Sequence, residues 1–171
     1  MQQARWLLHD DDVRPEDRVA GLLVLLYAQQ PAAISRLTLD HVQASGDQLH
    51  LMLGRDPVVV PEPLASLILQ VAVVRRGHAV IGARGSSPWL LPGGRPGQPI
   101  SSYRLAERLH QIGIHPGPAR STALFQLATE LPAAILARML GIHIKVAVQW
   151  QQLSAGDWTS YAADISRRLK H

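Results

Sequence analysis

The sequence predicts a mainly helical α+β domain with one small antiparallel sheet. Three observations carry this. Apolar residues recur at helical spacing over most of the chain. Strict alternation occurs only around residues 47–60. Each periodic stretch is bounded by proline, glycine or a capping residue.

The elements follow in order. "RPEDRVAGLLVLLYAQQ" predicts a helix, with Pro15 in its first turn and Glu16 and Asp17 at its positive end. Val19, Leu22, Leu23 and Leu26 share one face, and Pro31 interrupts the pattern. "AAISRLTLDHV" predicts a second helix reaching Asp40. "DQLHLML" alternates, with Leu49, Leu51 and Leu53 on one side. "GRDP" then turns the chain and "VVVP" returns, which is a hairpin signal. "EPLASLILQVAVV" predicts a buried helix opening at Pro63. Residues 77–99 hold many glycines and prolines and are expected to be the loosest segment, with Trp89-Leu90-Leu91 as an anchor. "SSYRLAERLHQIG" predicts a helix capped by Ser101 or Ser102, with Leu105, Leu109 and Ile112 inward and Gly113 as stop. "ARSTALFQLATE" predicts another.

"PAAILARMLGIHIKVAVQW" predicts two short helices around a left-handed Gly141, with Ile135, Leu136 and Met139 facing inward. Val146 and Trp150 would pack on the first of them, Trp150 largely buried. Lys145, Gln149 and Gln152 would lie away from that contact. "DWTSYAADISRRLKH" predicts a last amphipathic helix with a Trp158, Tyr161, Ile165 stripe.

The 171 residues are 47% hydrophobic and 18% charged, a globular composition sufficient for one domain over 1–171. With no cysteines, disulfides and thiolate metal sites are excluded, and a cytoplasmic location is expected. The longest apolar run, residues 19–28, is too short to span a bilayer. The net charge of +4 is unevenly spread: residues 1–94 carry −1 and residues 95–171 carry +5. A basic half suits a polyphosphate partner, because each phosphate contact releases counterions. Gln pairs with adenine edges and Lys with guanine or phosphate. Read as a helix-turn-helix, the 132–152 stretch therefore presents Lys145, Gln149 and Gln152 to double-stranded DNA. Two short helices joined by Leu-Gly also occur as plain structure. No P-loop, dinucleotide loop or Gly-x-Ser-x-Gly elbow is present. The scattered histidines offer no zinc set, and only four acids follow Glu62. No cofactor, metal site or catalytic residue is expected.

The order of these segments resembles the C-terminal domain of tyrosine recombinases, the phage-integrase family, over residues 15–161, leaving 162–171 as a tail. "GLLVLLYAQQPAAISRLTLDHV" resembles the family's first helix pair and "LHLMLGRDPVVVPEPLASLI" its hairpin. "WLLPGGRPGQPISSYRLAERLHQIGI" is similar to the approach to the catalytic helix. "PARSTALFQLATELPAAILARMLGIHIKVAVQW" is similar to the His-x-x-Arg helix, the Leu-Gly-His segment and the nucleophile. The resemblance implies DNA as partner. The family's first catalytic arginine falls at Gln30, the hairpin lysine at Arg55 and the first histidine at Gly117. The second arginine survives as Arg120. The later histidine falls at Ile142, with His143 one residue on, and the tyrosine at Trp150 or Gln151. The resemblance thus implies a recombinase-type domain that binds DNA without cleaving it, with Arg55 and Arg120 meeting over one phosphate. A protein-interaction module, self-associating through the C-terminal tail, and a helix-turn-helix transcription regulator are the alternatives.

Overall fold

The computed structural model describes the backbone of residues 2–81 and 87–168, and the side chains of 2–76 and 87–156. Eight helices and a three-stranded antiparallel sheet, order β1-β2-β3, make up the described chain. The α+β class is as the sequence predicts.

Helix α2 (Pro15–Tyr27) is the central element. The sequence predicted one apolar face, but Val19, Ala20, Gly21, Leu22, Leu23 and Val24 are all buried. Gly21 permits this: a Cβ there would lie 2.6 Å from Ile114 Cδ1 and 2.7 Å from Leu7 Cδ1. Helix α1 (Gln2–His9) lies against α2, and Leu7 is fully buried, so the packed core reaches beyond the expected 15–161. The buried Arg18 joins them. Its Nε and Nη2 donate to the Leu7 and Leu8 carbonyls, each at 2.7 Å, and its Nη1 to Asp11 at 2.8 Å.

The second predicted helix is shorter than expected. Helix α3 spans only Pro31–Ser35, and a 3-10 turn covers Leu39–His41. Between them the chain leaves the helical path at Leu37 and Thr38, and the segment from Leu37 to Leu39 pairs with the Trp89 segment. Leu90 N–H donates to the Leu37 carbonyl and Leu39 N–H to the Pro88 carbonyl, both at 2.8 Å. This non-local ladder outweighs helix continuation, and Thr38 favours it by its β-branch. The same pairing seats Leu90 and Leu91 in the core, as the anchor reading expected.

The hairpin gains a strand. β1 (Val42–Ser45) pairs with β2 (Gln48–Met52) through a Gly46-Asp47 turn, with Gly46 at φ 61°, and β2 pairs with β3 (Pro57–Val60). β1 was not legible because only Val42 in it is buried. Leu49, Leu51, Val58 and Val60 point into the core.

Helix α4 (Leu64–Ile81) runs through Gly77, which the sequence placed in a loop. It is not buried throughout: Val73 and Val74 are exposed. Helix α5 (Ser102–Gln111) is capped by Ser101, whose hydroxyl accepts the Arg104 N–H at 3.2 Å. Its Leu105 and Leu109 are buried, and Gly113 stops it at φ 78°.

Helices α6 (Pro116–Glu130), α7 (Ala133–Leu140) and α8 (Ile144–Arg168) build a second apolar cluster around Leu124, Leu136, Leu140 and Ala147. Tyr27 packs against both clusters. Among the described residues no helix is long and apolar enough to cross a membrane.

Candidate nucleic-acid interface

Gly141 turns the chain between α7 and α8 at φ 70°. The reason for so abrupt a turn lies outside it. The tip of the β2–β3 hairpin docks there, with Gly54 facing the Arg138 carbonyl and the Gly141 backbone so closely that a Cβ would overlap both. Arg55 and Asp56 N–H groups donate to the Arg138 carbonyl at 2.7 and 3.2 Å. The Arg138 guanidinium grips the Asp56 carboxylate in return, Nε and Nη2 each at 3.0 Å. Turn and hairpin form one clasp.

The histidine that follows the turn is used in capping. The His143 ring Nδ1 accepts the Lys145 N–H at 3.1 Å, and its carbonyl accepts the N–H groups of Val146 and Ala147. Helix α8 then continues for 25 residues, so the predicted second short helix and the predicted C-terminal helix are one element. The chain between 144 and 168 holds no proline, and Gly156 alone costs only about 1 kcal/mol in a helix. The Trp158, Tyr161, Ile165 stripe lies outside the described side chains.

The packing side of α8 differs from the expected one. Ala147 and Ser154 are buried, and Ser154 Oγ donates across to the Ala128 carbonyl at 3.3 Å. Trp150, expected to be largely buried, is half-buried at the edge of this contact with Val146. The small side chains allow α8 to approach α6 closely, which leaves the indole at the margin. On α7, Ala133, Leu136 and Leu140 face inward at i, i+3, i+7, and Ile135, expected inward, is 44% exposed. Met139 is half-buried. Lys145, Gln149 and Gln152 are exposed together opposite Ala147 and Ser154, as predicted. Ile144, Val148 and Leu153 flank them and are also exposed.

Arg120 lies elsewhere, near the head of α6. Its Nε donates to the Ala28 carbonyl at 2.9 Å, and partial burial lowers its pKa from the usual arginine value. It stays charged at neutral pH, since arginine titrates far above it. Ala28 ends α2 in the left-handed conformation at φ 53°, a strained geometry for a residue with a Cβ, and turns its carbonyl toward Arg120. The next residue, Gln29, is buried. Its amide donates to the Leu140 carbonyl at 3.2 Å, tying this corner to the end of α7. No local pattern marks Ala28 or Gln29 as structural, because both partners are remote in sequence.

Arg120 opens onto a shallow concavity of about 620 Å³. Gln30, Gly117 and Arg120, three positions assigned by the recombinase resemblance, line it together, with Tyr103 on its rim at 76% exposure. Arg55 does not line it, contrary to the expected meeting of the two arginines. Its backbone is spent on the α7 clasp, and its exposed side chain forms no ion pair among the described residues. Among the described residues no three His, Cys, Asp or Glu side chains are grouped to hold a metal ion. No family model, no curated protein and no solved structure matches this chain.

Proposed function

We propose that this chain is a DNA-binding domain of tyrosine-recombinase type that does not cleave strands. The convergence of Gln30, Gly117 and Arg120 on one concavity carries the reading. Two distant segments supply these positions, at which the recombinase resemblance places the family's first arginine, first histidine and second arginine; only the last is kept here, as Arg120. Arg120 would hold a backbone phosphate with the guanidinium edge beyond Nε. Lys145, Gln149 and Gln152 would reach base edges from the outward face of α8. With Trp150 and Gln151 at the nucleophile position, a phosphotyrosyl bond cannot form there.

Two results test this. Arg120→Ala should weaken duplex binding uniformly across sequences and lower the salt slope of binding by about one unit, read by gel shift at several salt concentrations. An unchanged slope sinks the phosphate role. A suicide duplex should trap no covalent adduct, and an adduct lost on Tyr161→Phe would reverse the claim of inactivity.

Exposed Ile144, Val148 and Leu153 beside the polar stripe favour a second reading, an interaction module that binds protein through α8. Self-association on a sizing column without salt-sensitive DNA binding would select it.

A further inference from the structure

A second concavity lies on the other flank of α5 and is lined by arginines from three separate segments. It measures about 910 Å³. Arg14 comes from the head of α2, Arg104 and Arg108 from α5, and Arg95 from the loop between Leu91 and Ile100. A smaller hollow of about 120 Å³ adjoins it, sharing Arg14, Pro92 and Arg108 and adding Arg75 of α4.

The loop is built to hold its arginine. Gly93 N–H donates to the Gln98 carbonyl at 2.8 Å and Ile100 N–H to the Leu91 carbonyl at 2.9 Å. The Trp89 indole donates to the Gly97 carbonyl at 3.0 Å. A Cβ on Gly93 would lie 2.6 Å from the Pro99 carbonyl oxygen, so glycine is required for the strands of the loop to close.

The acids nearby hold some of this charge but not all of it. Buried Asp17 meets Arg108 Nε at 2.7 Å and Arg14 Nε at 3.4 Å. Glu107 pairs with Arg104 at 3.1 Å and Glu16 with Arg75 at 3.5 Å. Five arginines thus face three carboxylates. Arg95 forms no ion pair among the described residues, and buried Arg75 Nε has no hydrogen-bond acceptor. The Arg75 side chain is still 28% exposed and lines the smaller hollow, so an anion there gains a charge-assisted contact with a guanidinium that its protein partners leave incompletely paired.

We propose that this double hollow binds a soluble ligand carrying two or more linked phosphates. The inner hollow, with Arg75, Arg14 and Arg108, takes one phosphate. The outer concavity, with Arg95 and Arg104, takes the next. Arginine forks suit both, and the positive end of α5 at Ser101 lines the outer one. The site is independent of the DNA reading, which uses the opposite flank of α5.

Calorimetric titration of the full chain with inorganic pyrophosphate, orthophosphate and ADP tests it. Pyrophosphate should bind at least tenfold more tightly than orthophosphate, and raised salt should weaken it. The surface double substitution Arg95→Ser/Arg104→Ser, at an unchanged melting temperature, should lose at least tenfold in pyrophosphate affinity. Arg120→Ala should retain wild-type affinity. ADP binding more tightly than pyrophosphate assigns a nucleotide, and weaker ADP binding assigns the bare polyphosphate. No binding, equal affinity for orthophosphate, or a double variant that binds like wild type would overturn the proposal.

Discussion

Gly54→Ala is expected to destabilise the protein by about 3 kcal/mol, the upper end of ordinary overpacking, read from urea unfolding midpoints. The added methyl would overlap the Arg138 carbonyl and the Gly141 backbone. Backbone on both sides cannot swing away as a side chain could. Gly54 has no positive φ, so the effect would come from space alone. Gly46→Ala is the control. Gly46 sits at φ 61° with nothing near its missing Cβ, so only conformational strain of about 1 kcal/mol applies. The two variants separate contact from conformation. A Gly54→Ala protein as stable as Gly46→Ala would mean that the clasp between hairpin and turn does not hold in solution. If it does hold, Gly54→Ala also displaces the start of α8 and should weaken any binding that depends on Lys145.

Arg18→Met is expected to cost about 3 kcal/mol and to release α1 selectively. The substitution keeps the aliphatic stem but abandons the buried bond to the Leu7 carbonyl and the part-buried one to Leu8, and an unpaired buried acceptor costs about 1–3 kcal/mol. Arg18→Lys should recover only part of this, because an ammonium cannot span two carbonyls and a carboxylate as a planar fork does. Hydrogen exchange should show faster amides in residues 2–9, with those of α6 and α7 unchanged. Equal protection of α1 in the variant and wild type would show that Leu7 and Ala4 hold the helix without Arg18.

The recombinase-type positions show what segment order can place and what it cannot. Segment order aligns Arg120, Gln30 and Gly117 with recombinase-type positions, and they line one concavity. The same order aligns Arg55 with the hairpin lysine, and Arg55 lies outside the concavity. Order places a residue on an element, but where the tip of a hairpin points depends on what the hairpin leans against. Here it leans on Gly141. The arginine-lined hollow was not legible at all. Arg14, Arg75, Arg95, Arg104 and Arg108 span three elements and a loop, and each looked like a solvated surface charge.

Local chemistry alone determined much of the secondary structure. Pro15 and the acids after it start α2, Ser101 caps α5, Gly141 turns left-handed, and the alternation around Leu49 and Leu51 makes a strand. Each of these depends on a few neighbouring residues, so a short window of sequence contains the cause. Tertiary structure decided the rest. It ended α3 early, because Leu37 and Leu39 pair with a segment some fifty residues away. It joined two expected helices into α8, whose inward face is set by the small Ala147 and Ser154 against α6 rather than by Trp150. It turned Ala28 left-handed and aimed its carbonyl at Arg120. In each case the deciding partner lies far along the chain. The energy of such a contact exists only once the chain has folded around it.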